Sequence, residues 1–304
     1  MARGGRILSF PAQPGDGELR SLIVCADDFG LDPAVNQAVE EAHRHGVLST
    51  ASLMVAAPAS ADAVARARRL PGLRVGLHLV LVDGRPALPS EEIAGLLREK
   101  DEFDRNMVRA GIRFFFLPAI RRQLSREIRA QFEAFRATGL PLDHVNAHKH
   151  LHLHPTVADL VIEIGRDFGM RAVRVPSEPV AVLRQAFPSE RHSTPLYGLW
   201  IERLRRRLRR AGLFVNDHLF GLAWSGGMVE ERLLRLVPHL PDGVSELYLH
   251  PAIGLTAALA KATPGYRHEE EFAALLSASV IRCICETGIR RVSYSDFSTP
   301  LTGI

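Results

Sequence analysis

The segment DHVNAHKHLHLHP, residues 143–155, carries five of the chain's thirteen histidines, at 144, 148, 150, 152 and 154. Neutral imidazole is the commonest side-chain ligand for a transition metal, so metal binding is the first chemistry to consider. In an extended strand alternate side chains share a face, and all five rings would then look the same way. They cannot all reach one ion. Residues two apart on a strand lie roughly 6.6 Å apart, which puts His148 and His154 about 20 Å from each other, against a metal–nitrogen bond of about 2.1 Å. One of these histidines, or two neighbours, can be a ligand, and the remaining ligands must come from elsewhere in the chain.

Three other apolar runs end in groups that can supply them. SLIVCADDFG is almost wholly apolar until Asp27 and Asp28, as a strand covered on both faces should be. Adjacent carboxylates repel, and a cation bound by one leaves the other free as a base. The structural alternative is that Asp28 caps the next turn, with Gly30 supplying positive φ. RVGLHLVL holds His78, which alone would read as a core histidine bonded to a carbonyl, and ELYLHPA ends at His250 before Pro251 stops the strand. One carboxylate and two imidazoles around a divalent ion leave positions open to water and suit hydrolysis. A carboxylate base beside the metal and a histidine acid opposite would complete amide hydrolysis, which gives roles to Asp27, Asp28, His78, His148 and His250. Arg174, in AVRVP, can pair with Asp27 and keep it ionised, or form a plain ion pair. The donor set suits Zn²⁺, Mn²⁺, Ni²⁺ or Co²⁺, and Mg²⁺ where water fills the other positions.

The elements that must position these groups alternate. Strands are expected at Ser21–Ala26, Thr50–Ala56, Arg74–Val80, Leu142–His148, Ala172–Val175, His218–Ala223, Glu246–His250 and Arg291–Ser295. Helical patterns cover Pro33–His45, with Asp32 as cap, Ala59–Leu70, Arg126–Thr138, with Ser125 as cap and Gly139 as stop, Thr156–Phe168, Val229–Pro238 and Glu269–Thr287. Eight strands alternating with helices predict an α/β fold, a single (β/α) barrel of distorted TIM-like form spanning 21–304, with an open doubly wound sheet as runner-up. Residues 1–20 read as a flexible leader, about 86–118 as an insertion, and about 199–211 as a basic amphipathic helix.

Composition narrows the classes. The 304 residues, 46% apolar, are enough for a sizeable core, and no apolar run approaches the ~20 residues of a membrane span. The N-terminal stretch lacks the pattern of a signal peptide, and Cys25, Cys283 and Cys285 form no disulfide framework, so a reducing cytoplasm is expected. A net charge of +4 permits an anionic partner without demanding one. In LWIERLRRRLRRAG the apolar residues recur at helical spacing amid arginines, which suits a helix lying on an anionic membrane or one docked on the core with a solvated basic face.

Taken together, ADDFGLDPAVNQAVEEA, GLHLVL, HVNAHKHLHLHP and YLHPA, in this order, resemble the YdjC-like carbohydrate deacetylases, metal-dependent enzymes that remove N-acetyl groups from amino sugars. The resemblance runs from about Leu22 to Ser295. It implies Asp27 as base, Asp28, His78 and His148 as metal ligands, and His250 as acid. ASLMVAAPASADAVARARRLPGLRVGLHLVLVDGRPALP and RRQLSREIRAQFEAFRATGLPLDHVNAHKHLHLHP most resemble the hopanoid-biosynthesis-associated branch, which implies an N-acetylglucosamine headgroup on a hopanoid lipid as substrate. An amino-sugar or glycolipid substrate and peripheral contact with the inner membrane face are then the expected partners, with no nucleic acid, and a homodimer is compatible. The Phe114–Phe116 run and the basic helix would hold the barrel mouth at the bilayer. One departure is Asn146, where many relatives carry aspartate, which leaves the orientation of His148 open. His152 is expected to contact substrate or support the site; His150 and His154 read as structural or exposed. The alternatives are a deacetylase of soluble oligosaccharides, a non-heme iron oxygenase, and a non-catalytic binder of anionic lipid or nucleic acid.

Overall fold

The computed structural model describes residues 20–99, 101–192 and 198–297, so the leader expected at 1–20 lies almost wholly outside the described residues. In chain order the elements are β1 (Ser21–Phe29), α1 (Pro33–His45), β2 (Thr50–Leu53), α2 (Ser60–Ala67), β3 (Arg74–Leu79), β4 (Leu97–Glu99), β5 (Glu102–Phe103), α3 (Met107–Phe116), α4 (Pro118–Ala137), β6 (Leu142–Ala147), α5 (Pro155–Asp167), α6 (Val180–Ala186), α7 (Gly198–Arg210), β7 (His218–Phe220), α8 (Glu230–Leu236), β8 (Val244–Leu249), α9 (Ala257–Ala262), α10 (His268–Leu276), α11 (Ala278–Glu286) and β9 (Arg290–Arg291).

One parallel sheet runs β6-β3-β2-β1-β8-β7, with β9 pairing the start of β1. It curls into an incomplete barrel wrapped by helices, the distorted TIM-like α/β form expected. Between β6 and β7 the wall is thin: Val173 bridges Val145 and Ala172 bridges Phe214, and both contacts are isolated. β4 and β5 form a separate antiparallel pair that, with α3, fills the stretch between β3 and α4.

All nine residues of β1 are buried, because its alternating side chains meet two different cores. Leu22, Val24 and Ala26 face the helices, whereas Ile23 and Cys25 face the barrel interior with Leu219, Tyr248, Val292 and Tyr294. Val292 and Tyr294 thus help to plug the barrel.

Several expected boundaries shift. Ala172–Val175 forms bridges rather than a strand, and the last strand shrinks to Arg290–Arg291, after which Tyr294–Asp296 turns inward as a 3₁₀ segment. α4 begins at Pro118, not beyond Ser125, because proline suits the first helical position and Ile120, Leu124, Ile128, Phe132 and Phe135 extend one buried stripe. The helix expected over Glu269–Thr287 breaks at Ser277, whose hydroxyl accepts from the N–H groups of Ser279 and Val280 and starts α11 anew. α7 lies on the core by Ile201, Leu204 and Leu208, and Arg205 reaches back to the carbonyls of Asn216 and Asp217. It is the docked form of the basic helix.

Candidate metal centre

β1, β3, β6 and β8 run parallel and so end along the same edge of the sheet, and each delivers one or two polar groups there. Asp28 adopts the left-handed backbone region, φ 62°, a conformation that costs a non-glycine residue about 1–3 kcal/mol. The turn it makes sets Asp28 Oδ1 3.3 Å from His78 Nε2 and 3.3 Å from His148 Nδ1. The ligand atoms of Asp28, His78 and His148 all lie within 4.8 Å of one another. The expected extended run of histidines is not what places them: β6 stops at Ala147, and His148–Leu153 coil into a 3₁₀ segment with Lys149 and His150 both at φ 53°. Coiling sends the rings in different directions, so only His148 joins the cluster.

The trio suits a cation. Asn146 sits beside His78 in the sheet register and turns its amide oxygen to within 2.7 Å of His78 Nδ1, while its NH₂ donates to Asp27 Oδ1 and to Ser52 Oγ. With acceptors fixing the amide, Nδ1–H of His78 donates to Asn146 and its Nε2 lone pair faces Asp28. Buried Asp28 Oδ1 and His78 Nε2 have no hydrogen-bond partner among the described residues. Opposed acceptor atoms left open at short range are what a positive ion would satisfy. Burial disfavours charge on His78, yet Asp27 and Asp28 outweigh it and raise its pKa, so a proton competes for the same place. Asn146, which stands where many relatives carry aspartate, thus orients His78.

Asp27 points the other way, into a buried ion-pair chain. Arg174, fully buried, donates to Asp27 Oδ2 at 2.5 Å and Oδ1 at 2.9 Å, and to Glu246 at 2.6, 3.0 and 3.1 Å. The hydroxyl of Tyr294 donates to Glu246 at 2.5 Å. Burial opposes charge on Asp27, but the Arg174 guanidinium and the nearby histidines win and hold the carboxyl far below the usual range. His250 is fixed through its main chain: its N–H donates to Glu271 at 2.5 Å, and His268 Nδ1 lies 2.6 Å from its carbonyl. Burial lowers the His250 pKa and the two aspartates only partly restore it, so its ring is neutral near pH 7.

These groups border a cavity of about 370 Å³ lined by Asp27, His78, His148, His150, Tyr248 and His250, among others. A second, of about 220 Å³, lies across Asp28 and His148 and is walled by Leu31, Met54, Val80 and Arg85.

Residues 21–286 match the family described as YdjC-like protein, most of the chain. The chain belongs to the YdjC-like family. Over 91% of its length it is 29% identical to a carbohydrate deacetylase of Geobacillus stearothermophilus, covering 98% of that protein, and over 92% it is 30% identical to a carbohydrate deacetylase of Vibrio cholerae, again covering 98%. A putative cellobiose-phosphate cleavage protein from Enterococcus faecalis shares the fold, with a TM-score of 0.73, 23% identity, and 92% and 100% of the two chains covered.

Of the seven residues singled out by sequence in this YdjC-like protein, Asp27, Asp28, His78, His148 and His250 meet at one end of the barrel, and Arg174 lies directly beneath Asp27. His152 is buried with Nε2 2.9 Å from the Arg174 carbonyl, which ties the 3₁₀ turn to the thin wall; burial drives its pKa down to about 3. His154 packs between Phe114 and Phe115. His150, read as structural or exposed, lines the larger cavity with Nε2 3.5 Å from the Tyr248 hydroxyl. Sequence reasoning missed Tyr248, although it precedes His250 by two in a strand and so shares its face. Glu246 shares that face by the same rule; nothing local marked Tyr294 or Glu271.

Proposed function

We propose that this protein is a metal-dependent N-deacetylase of an N-acetylglucosamine headgroup, carried on a hopanoid glycolipid. The observation that carries the reading is the convergence of Asp28, His78 and His148 on one point beside an ionised Asp27, in a family whose relatives are named carbohydrate deacetylases. Asp28, His78 and His148 hold the ion. When bound, a divalent ion there supplies Lewis-acid charge that stabilises negative charge growing on the acetyl oxygen.

The chain's own residues do the rest. Arg174 and the Asn146 amide fix the Asp27 carboxylate, which accepts a proton from the attacking water as the new C–O bond forms. His250 delivers a proton to the amine as the C–N bond breaks, giving acetate and free glucosamine. Because His250 rests neutral, the proton it delivers is the one Asp27 has drawn from the water, passed on before the C–N bond breaks, so both groups end the turnover as they began it. Tyr248 and Tyr266, with the Ser225 hydroxyl, offer rings and hydroxyls suited to a pyranose. His250→Ala should slow turnover about 10²-fold or more while the metal stays bound; loss of the metal would make His250 a ligand instead.

The decisive assay follows acetate release from an N-acetylglucosaminyl hopanoid and from soluble chitooligosaccharides, with metal-loaded and chelated protein. Release from neither substrate overturns the deacetylase reading, release from the soluble one alone overturns the lipid-linked half, and release unchanged by chelation overturns the metal.

A further inference from the structure

α3 is amphipathic the wrong way round for a helix that only packs on a core. It buries Ala110 and Phe114 and leaves Val108, Ile112, Phe115 and Phe116 outward at 73, 56, 55 and 69% exposure. These four stand at i, i+4, i+7 and i+8, one continuous stripe. Leu117 and Met107 extend it at either end. Scattered apolar residues on a surface need no explanation, but a contiguous stripe of large ones does.

The surroundings are basic. From Arg105 to Arg126 the chain reads RNMVRAGIRFFFLPAIRRQLSR, with six arginines and no acid. Arg105, Arg109 and Arg126 face acidic side chains from neighbouring segments, whereas Arg113, Arg121 and Arg122 have no acidic partner among the described residues. Large apolar groups ringed by unneutralised arginine match the depth profile of an anionic bilayer, with acyl boundary within and phosphates around.

The helix also sits beside the site. His154, six residues past His148, packs against Phe114, Phe115 and the backbone at Gly111. Arg105, two residues before α3, lines the second cavity with Asp28 and His148. A membrane under α3 therefore lies next to the second cavity, which Asp28 and His148 border.

We propose that α3 is an interfacial docking element that seats the barrel mouth on an anionic lipid surface, and that α7, despite its arginines, is not. α7 seats Ile201, Leu204 and Leu208 on the core and leaves Leu199 and Trp200 outward in its first turn alone, with no stripe along its length, and Arg207 and Arg209 pair with Asp159 and Asp217. The inference rests on the lipid-linked half of the function above, and vesicle binding is measured apart from acetate release so that the two can fail separately.

Full-length protein is floated with vesicles of phosphatidylglycerol and phosphatidylcholine, and with phosphatidylcholine alone. Wild type should float with the anionic vesicles and be released as salt rises. The exposed pair Phe115→Ser/Phe116→Ser should weaken binding about tenfold or more with unchanged metal content and melting temperature, since two rings leave the acyl boundary. Arg203→Gln/Arg206→Gln on α7 should bind as wild type. No flotation with anionic vesicles, or equal flotation by the α3 variant, overturns the proposal. So does a concentration-dependent dimer that the α3 variant abolishes, because the stripe then belongs to a second copy. Binding intact with no acetate released would leave the docking standing and overturn the deacetylase reading.

Discussion

His144 and His148 lie four residues apart in the same histidine run, and they end in opposite chemical conditions. His144 is fully buried with both ring nitrogens occupied, Nδ1 2.9 Å from Asp143 and Nε2 3.0 Å from Ser52, and its ring stacks on Tyr294 at 4.6 Å. It presses so closely over Gly76 that a Cβ there would sit 2.4 Å from the ring. His148, one residue past the strand, faces Asp28 across 3.3 Å in a cluster where Asp28 Oδ1 and His78 Nε2 have no hydrogen-bond partner among the described residues. The lower network, Asp143–His144–Ser52 and Asp27–Arg174–Glu246–Tyr294, has partners in hand; the upper one is left open. Identical residue types can thus hold a fold or wait for a ligand, and unmet hydrogen-bonding capacity separates the two.

The sharpest way to break that contrast is to delete each ring in turn. His148→Ala should remove the metal and lower deacetylation on the order of a thousandfold, as several kcal/mol of charge stabilisation disappear, with little change in melting temperature. His144→Ala should do the reverse, keeping its metal and losing about 2–4 kcal/mol of stability through a cavity and two stranded polar partners. Metal content and chemical denaturation decide it. Equal metal loss in both variants would dissolve the distinction.

Arg174→Met probes the lower network and, because Arg174 also fixes Asp27, disturbs the proposed base with it. It leaves Asp27 and Glu246 buried with no countercharge, and removing one partner of a buried ion pair costs about 3–5 kcal/mol. Denaturation should show that loss. If stability is unchanged, water must reach the two carboxylates and the network is not closed.

How much of this was readable in advance divides along the same line. The groups that end apolar strands, Asp27, Asp28, His78 and His250, were legible from that shared position, and the alternation of strands with helices gave the barrel. The lower partners were not, because they meet through the curl of the sheet: Glu246 comes from β8, Arg174 from a stretch too irregular to be a strand, and Tyr294 from the 3₁₀ segment Tyr294–Asp296 that turns inside. Period-two reasoning also failed past Ala147, since positive φ at Lys149 and His150 turns a strand pattern into a coil. Local alternation cannot foresee a backbone turn that only tertiary contacts stabilise.

Asn146 joins the two regions and sharpens their boundary. Its oxygen holds His78 while its NH₂ donates to Asp27 and Ser52, so Asn146→Ala should weaken metal binding about 10–100-fold, the usual effect of losing a ligand's orienting partner. A metal titration against a chelator of known affinity reads this directly. Unchanged affinity would mean that packing alone orients His78.

The smallest expected effect concerns Glu271, a carboxyl that holds His250 without touching the cluster. Burial pushes its pKa up to about 7 from an ordinary 4.5, although the N–H groups of His250 and Met228 favour the charged form. A group whose folded pKa is raised adds stability below its unfolded value, and that contribution drains away as pH climbs through the folded one. Wild type should therefore lose about 1–3 kcal/mol relative to Glu271→Gln between pH 4.5 and 7. Melting both proteins across that window tests it. A difference that stays flat would show that Glu271 is already ionised in the folded protein, its two backbone donors having overcome burial, and would place it with the satisfied residues beneath Asp27 rather than with the open groups above.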